Sequence, residues 1–319
     1  MPPRYLDIAE TKRLCPDMDK SIDLMTSHFG LYHNGNISIE PKTLLTPNGD
    51  ERTHGRLIYG GCHLKWNSHG YYVTKSVTSK NDLSKTFGSR GESVFTVFDS
   101  ETARLLAVVE GGWLTKVRTG AISGLATHYL ANSDAETIGI IGTGNYAQHQ
   151  IEALYETLKN ISLVKCHSKT SAGRTDFVHT MEKYPELKVE DSLRKTIEDS
   201  DIIITITTAD EPLVKYDWLK RGSLMIHAGS YREEDDNTIL KSDKLIVTNW
   251  NHTIHRGTST VAQLHQKGLL DYEHIDGEME HLVMVGNGRR EYDHEKIFFL
   301  SNGMVSQDAM LILEMLSKE

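Results

Sequence analysis

The segment Ile138-Gly139-Ile140-Ile141-Gly142-Thr143-Gly144-Asn145-Tyr146-Ala147 constrains the fold more than any other stretch of this sequence. A short apolar strand runs straight into a G-x-G-x-x-A turn, and helical spacing follows as far as Leu154. Gly142 permits the tight turn, Gly144 lets a backbone approach a pyrophosphate, and Ala147 allows close packing of helix on strand. The diphosphate would rest at the helix N-terminus, with Thr143, Asn145 and Tyr146 completing the turn. Such a turn also occurs in doubly wound sheets of other function, so its context matters. Further apolar strands alternate with helical stretches at Ser162 to Cys166, Asp201 to Ile206, Ser223 to His227 and Leu245 to Thr248. Near-continuous apolar strands in that alternation predict a parallel sheet covered on both faces, an α/β fold of Rossmann type. Thr207 and Ser230, just beyond two of those strands, extend the expected cofactor-binding set.

The rest of the chain has a different character. Up to about Glu110 it reads as strands, notably Tyr71 to Val77 and a hairpin of Ser93 to Phe98 with Leu105 to Val109 across the polar turn Asp99-Ser100-Glu101-Thr102. A helix is expected from about Thr115 to Ala131, with Ile122, Leu125, Ala126 and Tyr129 forming its apolar stripe. Asp308, Ala309, Leu311, Ile312, Met315 and Leu316 have helical spacing as well. A chain of 319 residues suits roughly two domains. The expectation is a smaller α+β substrate-binding and dimerisation domain of residues 1–113 and 304–319, and a Rossmann domain of residues 114–303.

Composition narrows the partners. A net charge of -9 and the lack of a basic stripe argue against nucleic acid. No run of about 18 apolar residues could span a membrane, and the start resembles no secretory signal, so a cytoplasmic location is expected. Cys15, Cys62 and Cys166 are too scattered for a disulfide framework. Among 16 histidines, His252 and His255 lack companions at ligand spacing, and no metal is expected. The run Arg232-Glu233-Glu234-Asp235-Asp236 reads as a solvated helix start complementing the helix dipole.

The end of the second parallel strand decides between cofactors. No acidic residue lies between Thr157 and Thr175, where a carboxylate would hold the ribose hydroxyls of NAD. Ser168, Lys169, Thr170 and Arg174 instead offer two hydroxyls and two cations to a phosphate, which favours NADP. An ordinary solvated loop would look the same.

Two charges fall on faces that ought to be apolar. Arg118 precedes Ile122 and Leu125 by helical spacing, and Lys75 alternates in phase with Tyr71, Val73 and Val77. Inward cations either pair with protein carboxylates or await an anionic substrate.

Val117-Arg118-Thr119-Gly120-Ala121-Ile122-Ser123-Gly124-Leu125-Ala126-Thr127-His128-Tyr129-Leu130-Ala131, with the glycine turn after it, resembles the ornithine cyclodeaminase and mu-crystallin superfamily. The resemblance covers nearly the whole chain, from Pro41-Lys42 through Lys75 and Pro212 to Ser230, and on to Gly303 and Asp308. It implies that Arg118 binds the substrate carboxylate and that Lys75 is the catalytic acid-base residue. It also implies a homodimer. Cyclodeaminases of the family carry an aspartate after the Gly-Ser or Gly-Gly where this chain has Gly229-Ser230-Tyr231, which argues against ornithine cyclisation. The family's Pro-Pro-Arg is Glu40-Pro41-Lys42, so Lys42 would contact a carboxylate as a point charge. Arg90 falls where many relatives have threonine, and Tyr231 joins Lys42, Arg90 and Arg118 in the expected substrate site. With His255-Arg256-Gly257, these features look most like the N-(2-amino-2-carboxyethyl)-glutamate dehydrogenase branch, which forms 2,3-diaminopropionate and is associated with NAD. The expected activity is therefore NAD(P)-dependent oxidation of a carboxylated secondary amine to an imine that water splits. Reduction of a ketimine, dehydrogenation of an amino acid, and NADPH binding without turnover, as in some relatives of mu-crystallin, are the alternatives.

Overall fold

The computed structural model describes residues 2–47, 55–79, 91–209 and 211–318. The chain forms two compact units, Met1–Arg118 with Met304–Glu319, and Thr119–Gly303.

The first unit contains β1 (Arg4–Leu6), α1 (Ile8–Leu14), α2 (Met18–His33), β2 (Ile37–Ile39), β3 (Thr43–Leu45), β4 (Arg56–Trp66), β5 (His69–Ser79), β6 (Ser93–Asp99), β7 (Leu105–Glu110) and the first turns of α3 (Gly112–Leu130). The helix Val305–Ser317 returns to this unit. Its sheet runs β1-β7-β6-β5-β4-β2, with β3 also on β4. Only the β1-β7 pairing among these is parallel. The long β4-β5 hairpin turns at Asn67 and Ser68, both at positive φ (49° and 67°). That conformation matches the twist of the flanking strands.

The strand-like reading of the N-terminal stretch needs correction, because α1 and α2 are helices. Asp7 accepts the Glu10 amide at 2.8 Å while the Glu10 side chain reaches back to the Asp7 amide at 3.4 Å, a capping box. Asp17 caps α2 by accepting the Lys20 amide at 3.0 Å. Along β5, Val73 and Lys75 are buried and Tyr72 and Thr74 exposed. The helix Val305–Ser317 packs on α2, β4 and β5 and is buried almost continuously from Val305 to Leu313. A helix apolar on nearly every side belongs to a core.

The second unit is built on β8 (Thr137–Ile141), β9 (Leu163–His167), β10 (Leu187–Val189), β11 (Ile202–Thr205), β12 (Leu224–His227), β13 (Lys244–Val247), β14 (Gly277–Glu278) and β15 (Ile297–Leu300). Its helices are α4 (Ala147–Thr157), α5 (Ser171–Thr180), α6 (Leu193–Ile197), α7 (Asp236–Leu240), α8 (Trp250–Arg256), α9 (Thr260–Gln266) and α10 (Met279–Met284). The strand order is β10-β9-β8-β11-β12-β15-β13-β14, parallel throughout. β11, β12, β13 and β15 are buried at every residue, as the continuous apolar runs require. Strand order reverses at β8, flanked by β9 and β11, and ligands of such sheets bind beyond the carboxyl ends of the strands at that point. No described helix is long and apolar enough to cross a membrane.

Candidate functional site

The glycine turn leaves β8 at the point where the strand order reverses. Gly142 has φ +107°, and a Cβ there would meet the Ile206 carbonyl oxygen at 2.5 Å, so only glycine fits. Its amide donates to the His167 carbonyl at 2.8 Å, which ties the turn to β9. Gly144 has nothing within 4 Å of the position its Cβ would take. That open side, and an α4 N-terminus without a side-chain cap, fit a diphosphate. Ala147 is fully buried, as close helix packing demands.

The loop after β9 is more engaged than a free phosphate clamp would be. Thr143 Oγ1 lies 2.9 Å from Ser168 Oγ and 3.1 Å from the Gly173 carbonyl. Thr170 caps α5 by accepting the Gly173 amide at 3.2 Å. Arg174 is buried, and its terminal nitrogens donate to the Ser168 carbonyl at 2.7 Å and to Asp191 at 2.8 Å. Lys169 is exposed. Of the two expected cations, Lys169 is open to solvent and Arg174 braces the loop.

In the first unit, a carboxylate gathers the cations. Lys75 is only 3% exposed, and its Nζ donates to Asp308 Oδ2 at 3.0 Å and to Thr115 Oγ1 at 2.8 Å, 4.8 Å above the Phe95 ring. The Asp308 Oδ1 atom lies 3.5 Å from Arg118 Nε, too poorly aligned for a hydrogen bond. Among the described residues, the two terminal nitrogens of Arg118 form no hydrogen bond. Burial pushes the Lys75 ammonium down, Asp308 opposes this, and the Arg118 charge adds to it, leaving a pKa lowered to about 8. Burial alone would raise the Asp308 carboxyl, but Lys75, Arg118 and Lys42 together hold it below its ordinary value. Nearby, burial and the Arg118 charge push His28 down to about 3. Two buried cations, Lys75 and Arg118, thus share one buried carboxylate, and the Lys42 charge also acts on it.

Lys42, Lys75 and Arg118 therefore come together, as residues of the first unit. Tyr231 is a buried residue of the second unit, and Thr207 and Ser230 are half-buried residues of the same unit. Arg90 lies outside the described residues. Asp308 was legible as part of a helical spacing and of the family resemblance, with no role assigned to it. The available signal was an acid directly before the apolar run Ala309 to Leu313.

The reading of residues 232–236 as a solvated helix start is wrong for two of them. Asp235 does cap α7, accepting the Thr238 amide at 2.8 Å. Glu233 and Glu234, however, are fully buried around His227 at the end of β12.

A glycine turn of this geometry, where a parallel sheet changes direction, defines the class as a dinucleotide-binding α/β enzyme. The model of the ornithine cyclodeaminase/mu-crystallin family matches residues 7–317. Alanine dehydrogenase of Archaeoglobus fulgidus is 29% identical over 298 residues, 91% of this chain and 87% of that protein. N-((2S)-2-amino-2-carboxyethyl)-L-glutamate dehydrogenase of Staphylococcus aureus is 27% identical over 282 residues, 86% of this chain and 83% of that protein. Among solved structures, Delta(1)-pyrroline-2-carboxylate reductase of Thermococcus litoralis, in complex with NADH and L-proline, superposes with a TM-score of 0.90 at 28% identity. That match covers 99% of this chain and 97% of the other. The chain belongs to the ornithine cyclodeaminase/mu-crystallin family, among its NAD(P)-dependent dehydrogenases and reductases.

Proposed function

We propose that this enzyme oxidises the carbon-nitrogen bond of an amino-acid-derived secondary amine carrying more than one carboxylate, in the manner of the diaminopropionate-forming branch. The observation that carries this reading is the pair of buried cations, Lys75 and Arg118, that share the one carboxylate of Asp308. A desolvated surplus of positive charge suits a carboxylated substrate. The similarity to the S. aureus dehydrogenase supports the same branch.

The roles follow from the chemistry of each group. Arg118, with its terminal nitrogens unengaged by described residues, would take one carboxylate through a two-pronged contact, and Lys42 would attract a second as a point charge. Lys75, with a pKa near 8, exchanges a proton near neutrality and would remove it from the substrate amine as the bond is oxidised. Asp308 and Thr115 orient its nitrogen. The dinucleotide, held by Gly142 to Ala147 with Thr207 and Ser230, supplies the hydride acceptor when bound. The resulting imine adds water and splits into an oxo acid and an amine. Reduction of a ketimine uses the same groups in reverse, with Lys75 returning the proton. That second reading is favoured by the likeness to the T. litoralis reductase.

For the cofactor, Lys169 supports NADP, while the engagement of Arg174 with Asp191 leaves that support to one exposed cation. A screen of purified protein against amino acids, N-carboxyalkyl amino acids and cyclic imines, following absorbance at 340 nm with each cofactor, tests the proposal. Turnover of a substrate with a single carboxylate in clear preference to multiply carboxylated amines would overturn it.

A further inference from the structure

The buried cluster at the end of β12 is not used by the chemistry above. His227 Nδ1 lies 2.7 Å from Glu234 Oε2, and its Nε2 lies 3.6 Å from Glu233 Oε2. All three side chains are fully buried. The other Glu233 oxygen, Oε1, accepts the Thr207 backbone amide at 2.6 Å and also the Thr207 hydroxyl. Thr207 Oγ1 accepts in turn the Ala209 amide at 3.0 Å. A Cβ placed on Gly229 would come within 1.9 Å of Glu233 Oε2, so the carboxylate lies flat against the backbone of the turn that follows β12. Glu233 thus touches both loops leaving β11 and β12. These strands run parallel to β8, so both loops lie at the end of the sheet that carries the glycine turn.

Burying two carboxylates and an imidazole costs more than apolar packing of the same volume. The cluster nonetheless ends on the backbone of loops rather than in the core, which points to a role in holding those loops. We propose that Glu233 is a positioning residue for the dinucleotide: its carboxylate fixes the Thr207–Ala209 loop and the Gly229–Ser230 turn, with the His227–Glu234 pair set against it. The inference rests on the dinucleotide reading of the second unit.

Among the described residues, the charged groups facing Glu233 are His227, from β12, and Glu234, on its own segment. The remaining neighbours do not titrate: Thr207 from the loop after β11, the Leu213 and Val214 amides on the Glu233 carbonyl, and Thr260 of α9 on the Glu234 carbonyl. Burial pushes Glu233 up, the His227 charge and the Thr207 contacts pull it down, and it comes to about 6. Burial would lower His227, but the two carboxylates raise it to about 9, so its imidazolium persists through neutrality. As pH falls through about 6, Glu233 gains a proton, its attraction to the imidazolium lapses, and its grip on Thr207 weakens.

Binding of NADH to the full chain, followed by fluorescence from pH 5.5 to 8.5, reads this directly, because NADH has no ribose phosphate titrating in that range. Wild-type affinity should be level above neutrality and fall as the pH drops through about 6. Glu233→Gln should bind about tenfold more weakly at pH 8, the loss expected when a charged acceptor becomes neutral, and should lack the acid limb. The double variant His227→Asn with Glu234→Leu replaces a buried charge pair with neutral groups, a change that such sites tolerate. It should bind with the acid limb moved to higher pH, because His227 lowers Glu233 more than Glu234 raises it. A folded Glu233→Gln with wild-type affinity and an intact limb would overturn the proposal, as would an unmoved limb in the double variant. If the wild type binds neither NADH nor NADPH, the dinucleotide reading falls and this inference with it. If the wild type binds while Glu233→Gln is indistinguishable from it, only this inference falls.

Discussion

Asp308→Asn is the perturbation that best isolates the electrostatics of the first unit, since it removes one charge and almost no volume. The carboxylate oxygen lies 3.0 Å from Lys75 Nζ. At an effective dielectric near 20, opposite charges at that distance attract by about 5.5 kcal/mol. The asparagine oxygen can still accept the Lys75 hydrogen bond, and water relaxes part of the loss. If half of the attraction is lost, the ammonium pKa falls by roughly 2, each whole step of pKa being about 1.4 kcal/mol. Lys75 should therefore move from about 8 to roughly 6, because burial and the Arg118 charge are then opposed less strongly. In the oxidative direction the neutral amine is the active form, so the rising limb of kcat/KM against pH should shift from near 8 to near 6. In the reductive direction the protonated form is active, and the falling limb should shift equally. Steady-state rates from pH 5 to 9.5, with Lys75→Met as the control that should lose the limb and about 100-fold or more in turnover, make the measurement. A limb that stays near 8 in Asp308→Asn, or survives in Lys75→Met, would refute the assignment of that limb to Lys75.

Gly144→Val should leave the melting temperature of the unliganded protein nearly unchanged, since nothing lies within 4 Å of the added Cβ, while weakening dinucleotide binding at least about tenfold. Undiminished affinity by fluorescence titration would remove the diphosphate from this turn. Lys169→Ala should weaken NADPH about tenfold and spare NADH, whereas Arg174→Ala, which loses the Ser168 and Asp191 contacts, should weaken both. Equal effects of Lys169→Ala on the two cofactors would remove the support for NADP. Arg118→Lys keeps the charge but not the planar fork and should raise KM for the carboxylated substrate more than it lowers kcat, with cofactor affinity retained. Light scattering should report a homodimer, and a monomer at micromolar concentration would contradict that expectation.

The legible parts of this fold were those in which one local pattern decides the structure. β8 with its turn, and the apolar runs of β9, β11, β12 and β13, stand out because each is buried on both faces. β10 and β14 span too few residues to show any period. β15, Ile297-Phe298-Phe299-Leu300, has the same apolar signature as its neighbours, but its place in the sheet is out of chain order. It is inserted between β12 and β13, where only tertiary pairing places it. The phase of Lys75 along β5 predicted an inward cation correctly. Its partner could not be read from sequence, since Asp308 is 233 residues away. The burial of Glu233 and Glu234 was hidden for the opposite reason: acidic residues before a helix are so often solvated caps that His227 carried no signal until β12 placed it beside them.

The late position of β15 and of the helix Val305–Ser317 has a consequence for how the chain is made. Strands β12 and β13 are synthesised well before β15, yet each pairs with it. On a ribosome adding roughly 5–20 residues per second, the second sheet therefore waits for several seconds with those edges open. The first unit waits longer still, because the carboxylate that offsets Lys75 and Arg118 emerges only with Asp308. Until then, burial of Lys75 and Arg118 would leave their charge without the Asp308 carboxylate. A released chain truncated before Val305 should hold its first unit open to proteases, and the full chain should not.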